Sequence, residues 1–315
     1  MNILYTMIPM ALAYATPLII AALGGLFSER AGIVNIALEG IMMIGGFTAA
    51  AVTVVLEPLT PMAGYYGLLA GVAAGTVYSL LHAFASVNLK ADQVISGTAV
   101  NILAGGLTIY LAQIIFHQQR TRSFQTGLGK FSFPVLGDIP VIGPLLFKDV
   151  YPTFWIAIIL IALTWFVIFK TPFGLRLRAC GEHPQAAASM GISVMAYRYY
   201  GVMISGAFAG LAGGALVLTQ DIQYSAASIH GAGFIALACL IFGKWNPFGV
   251  MGAGIFFGFS QALSLYAKDI PFLANIPLEF FYLLPYALTV IALIVFSGKA
   301  VGPRAAGEIY DAGKR

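Results

Sequence analysis

Glu29-Arg-Ala-Gly-Ile-Val-Asn-Ile-Ala-Leu-Glu-Gly40 is a polar motif opening an otherwise apolar run, and its setting decides the fold class. Between Arg30 and Glu57 the one formal charge is Glu39, in a stretch long enough to cross a bilayer. A carboxylate is costly inside a membrane, so by default it marks function. The rest of the chain agrees with that solvent. Hydrophobic residues make up 60% of it and charged residues 9%, with a mean hydropathy of +0.90. Soluble domains carry about 25% charged residues, so the chain reads as an integral membrane protein.

A bilayer core of roughly 30 Å takes about 20 apolar residues per helix. Nine stretches approach that length: 3–26, 33–56, 62–87, 93–116, 150–169, 196–219, 231–246, 247–267 and 276–297. The seventh is short, and Trp245-Asn246-Pro247 alone divides it from the eighth. Transmembrane barrel strands alternate apolar and polar with period two, whereas these runs are apolar throughout. The expected fold is therefore an all-α polytopic membrane protein of about nine helices (eight to ten), with broken helices near 29–40 and 231–247. Residues 1–315 form one membrane domain, because no polar stretch is long enough for a soluble one.

No Lys or Arg precedes the first apolar run, so residues 3–26 read as a retained helix rather than a cleaved signal peptide. Arg30 just past its end predicts a cytoplasmic end there and an outside N-terminus. Threading nine spans from that point places eleven of the sixteen Lys and Arg inside, with a cytoplasmic C-terminus. The discordant piece is the loop 117–149, assigned outside although it carries Arg120, Arg122, Lys130 and Lys148. That loop is rich in Gly, Pro and Phe and reads as an external loop or cap. The net charge of +4 is scattered over loops between spans, which is positive-inside orientation and not a nucleic-acid surface.

Catalytic signatures are missing. Lys244 and Lys299 follow glycines, but neither is followed by Ser or Thr, so the chain has no phosphate loop of its own. His82, His117, His183 and His230 are far apart in sequence and read as structural or solvated. Cys180 and Cys239 have no paired spacing, so neither a disulfide nor a metal site is expected, and no cofactor. The chemistry available is passage.

Helical spacing puts Asn35 and Glu39 on one face. Asn101, Gln113 and Gln261 are the other polar residues deep in spans. These side chains either read a neutral polar ligand or satisfy interhelical bonds at a broken helix. A Glu39 carboxylate serving the N–H groups of a broken helix would be architectural. Small residues from Ser205 to Gly214, with Gly71, Gly75, Gly105 and Gly106, allow close helix crossing. In the 170–195 loop, Glu182-His-Pro-Gln-Ala-Ala-Ala-Ser-Met-Gly191 can form a short helix. Pro184 suits its first turn, Glu182 its positive end, and Gly191 its termination.

Three segments together resemble a bacterial ABC-importer permease over nearly the whole chain. They are Phe27-Ser-Glu-Arg-Ala-Gly-Ile-Val-Asn-Ile-Ala-Leu-Glu-Gly40, Arg178-Ala-Cys-Gly-Glu-His-Pro-Gln-Ala-Ala-Ala-Ser-Met-Gly-Ile192 and the glycine-rich Ser205–Gly214. The first is specific to the nucleoside and simple-sugar branch, and the second is shared with ribose and branched-chain amino-acid permeases. Cys180 stands where relatives more often carry a small apolar residue. The resemblance implies that the loop about 171–195 is the coupling loop, with Arg178, Gly181, Glu182, Pro184, Ala187 and Gly191 in its contact with a cytoplasmic ATPase. It also implies a second homologous permease subunit, an ATP-binding subunit and an extracellular substrate-binding protein or lipoprotein, in a bacterial plasma membrane. Glu39, Asn35, Asn101, Gln113 and Gln261 are then expected in the substrate path or its framework. Two rivals from other classes are an ion-coupled transporter that protonates Glu39, and a membrane subunit that moves no solute.

Overall fold

The computed structural model describes residues 3–270 apart from 126, 135 and 141, residues 302–311, and isolated positions between 276 and 294. Ten α-helices run through these residues: α1 Leu4–Arg30, α2 Leu38–Leu56, α3 Ala63–Ala83, α4 Gln93–Phe116, α5 Pro152–Lys170, α6 Pro172–Glu182, α7 Pro184–Ser189, α8 Val194–Gln220, α9 Ala232–Phe242 and α10 Pro247–Tyr266. A π-helical turn, Phe84–Asn88, extends α3. Seven of these, α1 to α5, α8 and α10, are long and apolar enough to cross a membrane. The protein is thus a multi-pass helical bundle. The expected seventh span is α9, whose 11 residues cover about 16 Å at 1.5 Å per residue, half a bilayer core. The ninth, 276–297, lies for the most part outside the described residues.

The break at the polar motif falls later than the apolar runs placed it, between 31 and 37 rather than between 26 and 33. α1 runs on through Arg30, and residues 31–37 are non-helical before α2 starts at Leu38. Gly32 turns the chain at φ +94°, and the Ser28 hydroxyl donates to the Ile33 carbonyl at 2.9 Å, closing the turn on the end of α1. Asn35 therefore precedes the helix that carries Glu39, and the two do not share a helical face.

α1, α2 and α8 form the centre: 89% of the apolar window of α1 is buried, against 28% for α4 and for α5. Small residues make that centre. A Cβ on Gly210 of α8 would strike the Gly71 carbonyl of α3, and one on Gly45 of α2 would strike Gly210. Such contact replaces the hydrophobic drive that lipid cannot supply between helices. Gly105 and Gly106 are not used this way. A Cβ on Gly105 would touch only the Met43 methyl at 3.7 Å, and one on Gly106 would meet nothing.

The loop after α4 lies across the far ends of α8 and α2. Thr121, Phe124 and Leu128 donate their amides to the carbonyls of Tyr224, Ile222 and Leu218, at 2.9 to 3.0 Å. Gln125 donates its amide to Glu57 at 2.7 Å. Phe133, Phe147 and Trp155 pack edge-on and stacked beside it. The loop is a cap on that end of the bundle. At the opposite end sit α6 and α7. Thr171 caps α6 by accepting from the Gly174 amide at 3.2 Å, with Pro172 in its first turn. Pro184 opens α7, and Gly191, at φ +78°, turns the chain toward α8. Glu182 ends α6 rather than starting α7, so its carboxylate serves other partners.

Candidate functional site

The 29–40 motif holds α9 at both ends. At the first end, Glu39 in the opening turn of α2 accepts from the Gly231 amide at 2.8 Å and from the Gly233 amide at 2.7 Å. Those N–H groups have no partner within the helix, and the positive end of its dipole favours the anion. The approach needs glycine, since a Cβ on Gly233 would lie 2.5 Å from the Glu39 backbone. At the other end, Glu29 accepts from the Trp245 indole at 2.5 Å, and Arg30 donates to the Trp245 carbonyl at 3.0 Å. Trp245 lies in the turn that separates α9 from α10, and Asn246 caps α10 through the Phe248 amide at 2.9 Å.

The non-helical residues between Glu29 and Glu39 are braced from three sides. Asn101 of α4 accepts from the Gly40 amide at 2.7 Å and donates to the Ile36 carbonyl at 2.9 Å. Asn35 donates to the Ser205 hydroxyl of α8 at 2.8 Å. Val34 gives its amide to Gln93 at 2.7 Å, and its carbonyl lies 3.2 Å from His82 Nε2. The other ring nitrogen of His82 is 3.1 Å from the Ser96 hydroxyl, so a neutral imidazole protonated at Nε2 satisfies both contacts. Asn35, Glu39 and Asn101 are thus brought together as a frame around the break. Gln113 is not brought to them; it is exposed on the outer face of α4.

Directly above the Glu39-capped end of α9 lies a cavity of about 410 Å³ between α1, the end of α8, residues 221–231, α9 and α10. Gln261 lines it. Tyr14, Gln220, Asp221, Ser228 and His230 line it too, and the sequence reading missed their role. The available signal was the pair Gln220-Asp221 closing a long apolar run just before a short one. Burial holds the Asp221 carboxyl above the usual carboxylate range, with a Ser228 hydrogen bond and the nearby His230 opposing it.

The second polar centre is the α6–α7 end. Glu182 pairs with Arg30 at 3.8 Å and accepts from the Arg304 amide at 3.4 Å. Gly181 packs against the Arg30 carbonyl and accepts from the Ala305 amide at 2.9 Å. Arg178 lies over the Phe169 ring at 5.2 Å. Pro184 sets the first turn of α7, while Ala187 is buried against Cys180 and Val194 and so faces inward. What α7 shows to solvent is His183, Gln185, Ala186 and Ser189, followed by Met190 at 80% exposure and Gly191. Burial pushes the Cys180 thiol up to about 11.

A bundle of membrane-crossing helices with a half-length helix held beneath a polar cavity, and a polar helix pair at one end, defines a multi-pass membrane protein. The family described as branched-chain amino acid transport system / permease component matches residues 7–293, and the chain belongs to that family. Among individual relatives, the guanosine ABC transporter permease protein NupQ of Bacillus subtilis (strain 168) is 48% identical over 315 residues, covering 100% of this chain and 99% of its own length. The nucleoside ABC transporter permease protein NupC of Lactococcus lactis subsp. cremoris is 42% identical, covering 98% of each chain. The putative glucose ABC transporter permease protein TsgC13 of Haloferax volcanii is 34% identical over 81% of this chain and 76% of its own length. No solved structure matches the chain. The protein is accordingly a permease subunit of an ABC transporter, a class of chain that is not itself an enzyme.

Proposed function

We propose that this chain is one half of the membrane pore of an ATP-driven nucleoside importer in a bacterial plasma membrane. The observation that carries the substrate is full-length identity of 48% to a chain named for guanosine and 42% to one named for nucleosides. A cavity with one formal charge and a mixed polar and apolar lining agrees with an uncharged riboside. ATP is hydrolysed on a separate subunit that docks on the exposed surface of α7, with Arg178, Gly181, Glu182, Pro184 and Ala187 shaping that surface and the exposed Gly191 at its edge. A second, homologous permease faces this one, and a binding protein delivers solute at the capped end. In this reading the whole chain is one permease domain, α1 begins outside, and the α6–α7 end with residues 302–311 is cytoplasmic. Glu39, Asn35 and Asn101 frame the moving parts, Gln261 touches the solute path, and Gln113 meets lipid or the partner permease.

The test is uptake of radiolabelled guanosine, uridine, ribose, glucose and leucine in cells with the chain deleted and then restored, with ATP and the proton gradient collapsed separately. Loss of guanosine and uridine uptake that follows ATP is the expected result. Loss of only a sugar or of leucine overturns the substrate, and dependence on the proton gradient alone overturns the mechanism.

A further inference from the structure

The cavity above α9 has one formal charge in its wall, Asp221, and no Lys or Arg among its described lining residues. Gln220 gives its amide nitrogen to the Ala13 carbonyl at 3.0 Å, which leaves its oxygen as the group on offer beside Asp221. Asp221 Oδ2 is shielded from water and has no hydrogen-bond partner of its own, although the Ser228 hydroxyl serves the same carboxyl. A buried carboxylate oxygen without a donor is an unfavourable arrangement, so this wall is complete only when something brings donors to it. A small turn about the terminal torsion of Asp221, which is soft, carries that oxygen to the cavity. Across the space, the Tyr14 hydroxyl and the Gln261 amide line the wall without a side-chain hydrogen bond of their own among the described residues. Leu18, Leu216 and Ile235 form an apolar face of the wall, while Ser228, His230 and Ser264 lie among its polar groups. The volume of about 410 Å³ is in the range of small-molecule sites, roughly 300–1,000 Å³.

Two acceptors side by side, one of them a carboxylate, with no Lys or Arg in the described lining and His230 as the nearby titratable group, are complementary to two adjacent hydroxyls on an uncharged ligand. A carboxylate that accepts from a ribose hydroxyl is an established way of recognising that sugar in dinucleotide sites. The apolar walls suit a flat base. We propose that Asp221 is a specificity-determining residue of the transport path, accepting hydrogen bonds from the vicinal hydroxyl pair of the solute. The inference rests on the nucleoside reading for its choice of probe; the chemistry it names, a vicinal diol, is shared by ribosides and free sugars.

The test uses the complete complex in proteoliposomes with its binding protein saturated. Initial rates are measured for guanosine, 2′-deoxyguanosine, inosine and ribose, for the wild type, Asp221→Asn and Asp221→Glu. The binding protein is the same in every preparation, so a changed ratio between two solutes belongs to this chain. The wild type should move guanosine at least ~10-fold faster than 2′-deoxyguanosine, because a site built to bond a hydroxyl rejects the analogue lacking it. Asp221→Asn should shrink that ratio at least about fivefold by slowing guanosine, with stimulated ATP hydrolysis retained. Asp221→Glu keeps the charge and displaces it by one methylene; it should give an intermediate ratio, and decides the matter if the Asn variant fails to assemble. Equal wild-type rates for guanosine and 2′-deoxyguanosine overturn the proposal, as does a ratio that neither variant changes. Discrimination against inosine in place of 2′-deoxyguanosine also overturns it, since the base edge would then be what is read. Ribose transport without nucleoside transport refutes the nucleoside reading alone, provided that Asp221→Asn slows ribose.

Discussion

Replacing Glu39 with Gln should loosen α9 without unfolding the bundle, and the size of the effect follows from two hydrogen bonds. Glu39 accepts from Gly231 and Gly233 at 2.8 and 2.7 Å. Bonds to a charged acceptor are worth about 1.5–3 kcal/mol each, and neutral ones about 1 kcal/mol. The Gln oxygen can keep one of the two bonds in neutral form. Its NH₂ faces the other amide, donor against donor, and leaves that N–H unpaired. Loss of the charge at the helix start removes a further ~0.5–1 kcal/mol. The net weakening is about 3 kcal/mol, or roughly 100-fold in the local opening equilibrium at 1.4 kcal/mol per decade. Hydrogen exchange of the complex in nanodiscs reads this directly, because amides exchange through such openings. Amides 231–236 should exchange about 100-fold faster in Glu39→Gln, α5 should be unchanged, and nucleoside uptake should fall. Exchange within threefold of wild type at 231–236 would refute the capping role. Uptake that lost its pH dependence, with exchange unchanged, would point to a protonation site.

Three further outcomes follow from packing and exposure. Gly210→Val drives a side chain into the Gly71 carbonyl; overpacking of this kind costs about 1–3 kcal/mol or more, so the yield and melting temperature of the extracted complex should drop, whereas Gly106→Val should leave both unchanged. Met190→Arg, at an 80% exposed position, should abolish coprecipitation of the ATPase with the permease still folded; Ala187→Arg, at a buried one, should instead lower permease yield. N-ethylmaleimide should label neither Cys180 nor Cys239 in the native complex, as both are buried and burial holds the Cys180 thiol at about 11; mass spectrometry should find two adducts after denaturation in detergent, and native labelling of Cys180 would show that the α6–α7 packing is wrong.

The helical membrane fold was legible because lipid imposes one rule on every span, and hydropathy reads it. Full spans such as α2 and α8 lie close to where the apolar runs placed them. α9 was legible only as a short, doubtful span. Its length is set by Glu39 at one end and Trp245 at the other, which are contacts 192 and 216 residues distant from their partners. The same limit applies to Asn35. A period of 3.6 residues set it on a face with Glu39, yet Gly32 at φ +94° ends the regular backbone before it. Asn101 stood out in sequence as a lone amide in an apolar span, and it does satisfy a broken helix. Gln113 stood out equally and faces outward, because position along a span fixes depth but not direction. The cavity was mostly hidden: Tyr14, Asp221 and His230 come from segments that only tertiary packing brings together.

The polar residues of this apolar chain are explained best by what they connect. α9 ends at one extreme in the cavity, which Ala232 and Ile235 help to line, and at the other in the Trp245 turn. That turn is bonded to Glu29 and Arg30, and Arg30 is paired with Glu182 at the close of α6. Residues 302–311 tie the same node to the α6–α7 end. Ala305 donates to Gly181 at 2.9 Å, Gly307 donates to Gly32 at 3.3 Å, and Gln185 of α7 donates to the Asp311 carbonyl at 2.9 Å. A displacement of α6 and α7 must break this set of bonds or carry the Trp245 turn with it. An 11-residue helix transmits such a shift along its axis as a rod of about 16 Å. Shifts of only 1–2 Å are typical of helix movements that switch a packed interface. In a solvent that cannot bond to an exposed N–H or C=O, a half-length helix persists only where other groups satisfy its ends. The polar groups of the 29–40 motif are therefore what allow this helix to be short, and being short is what lets one end of it face the cavity while the other stays bonded to the α6–α7 end.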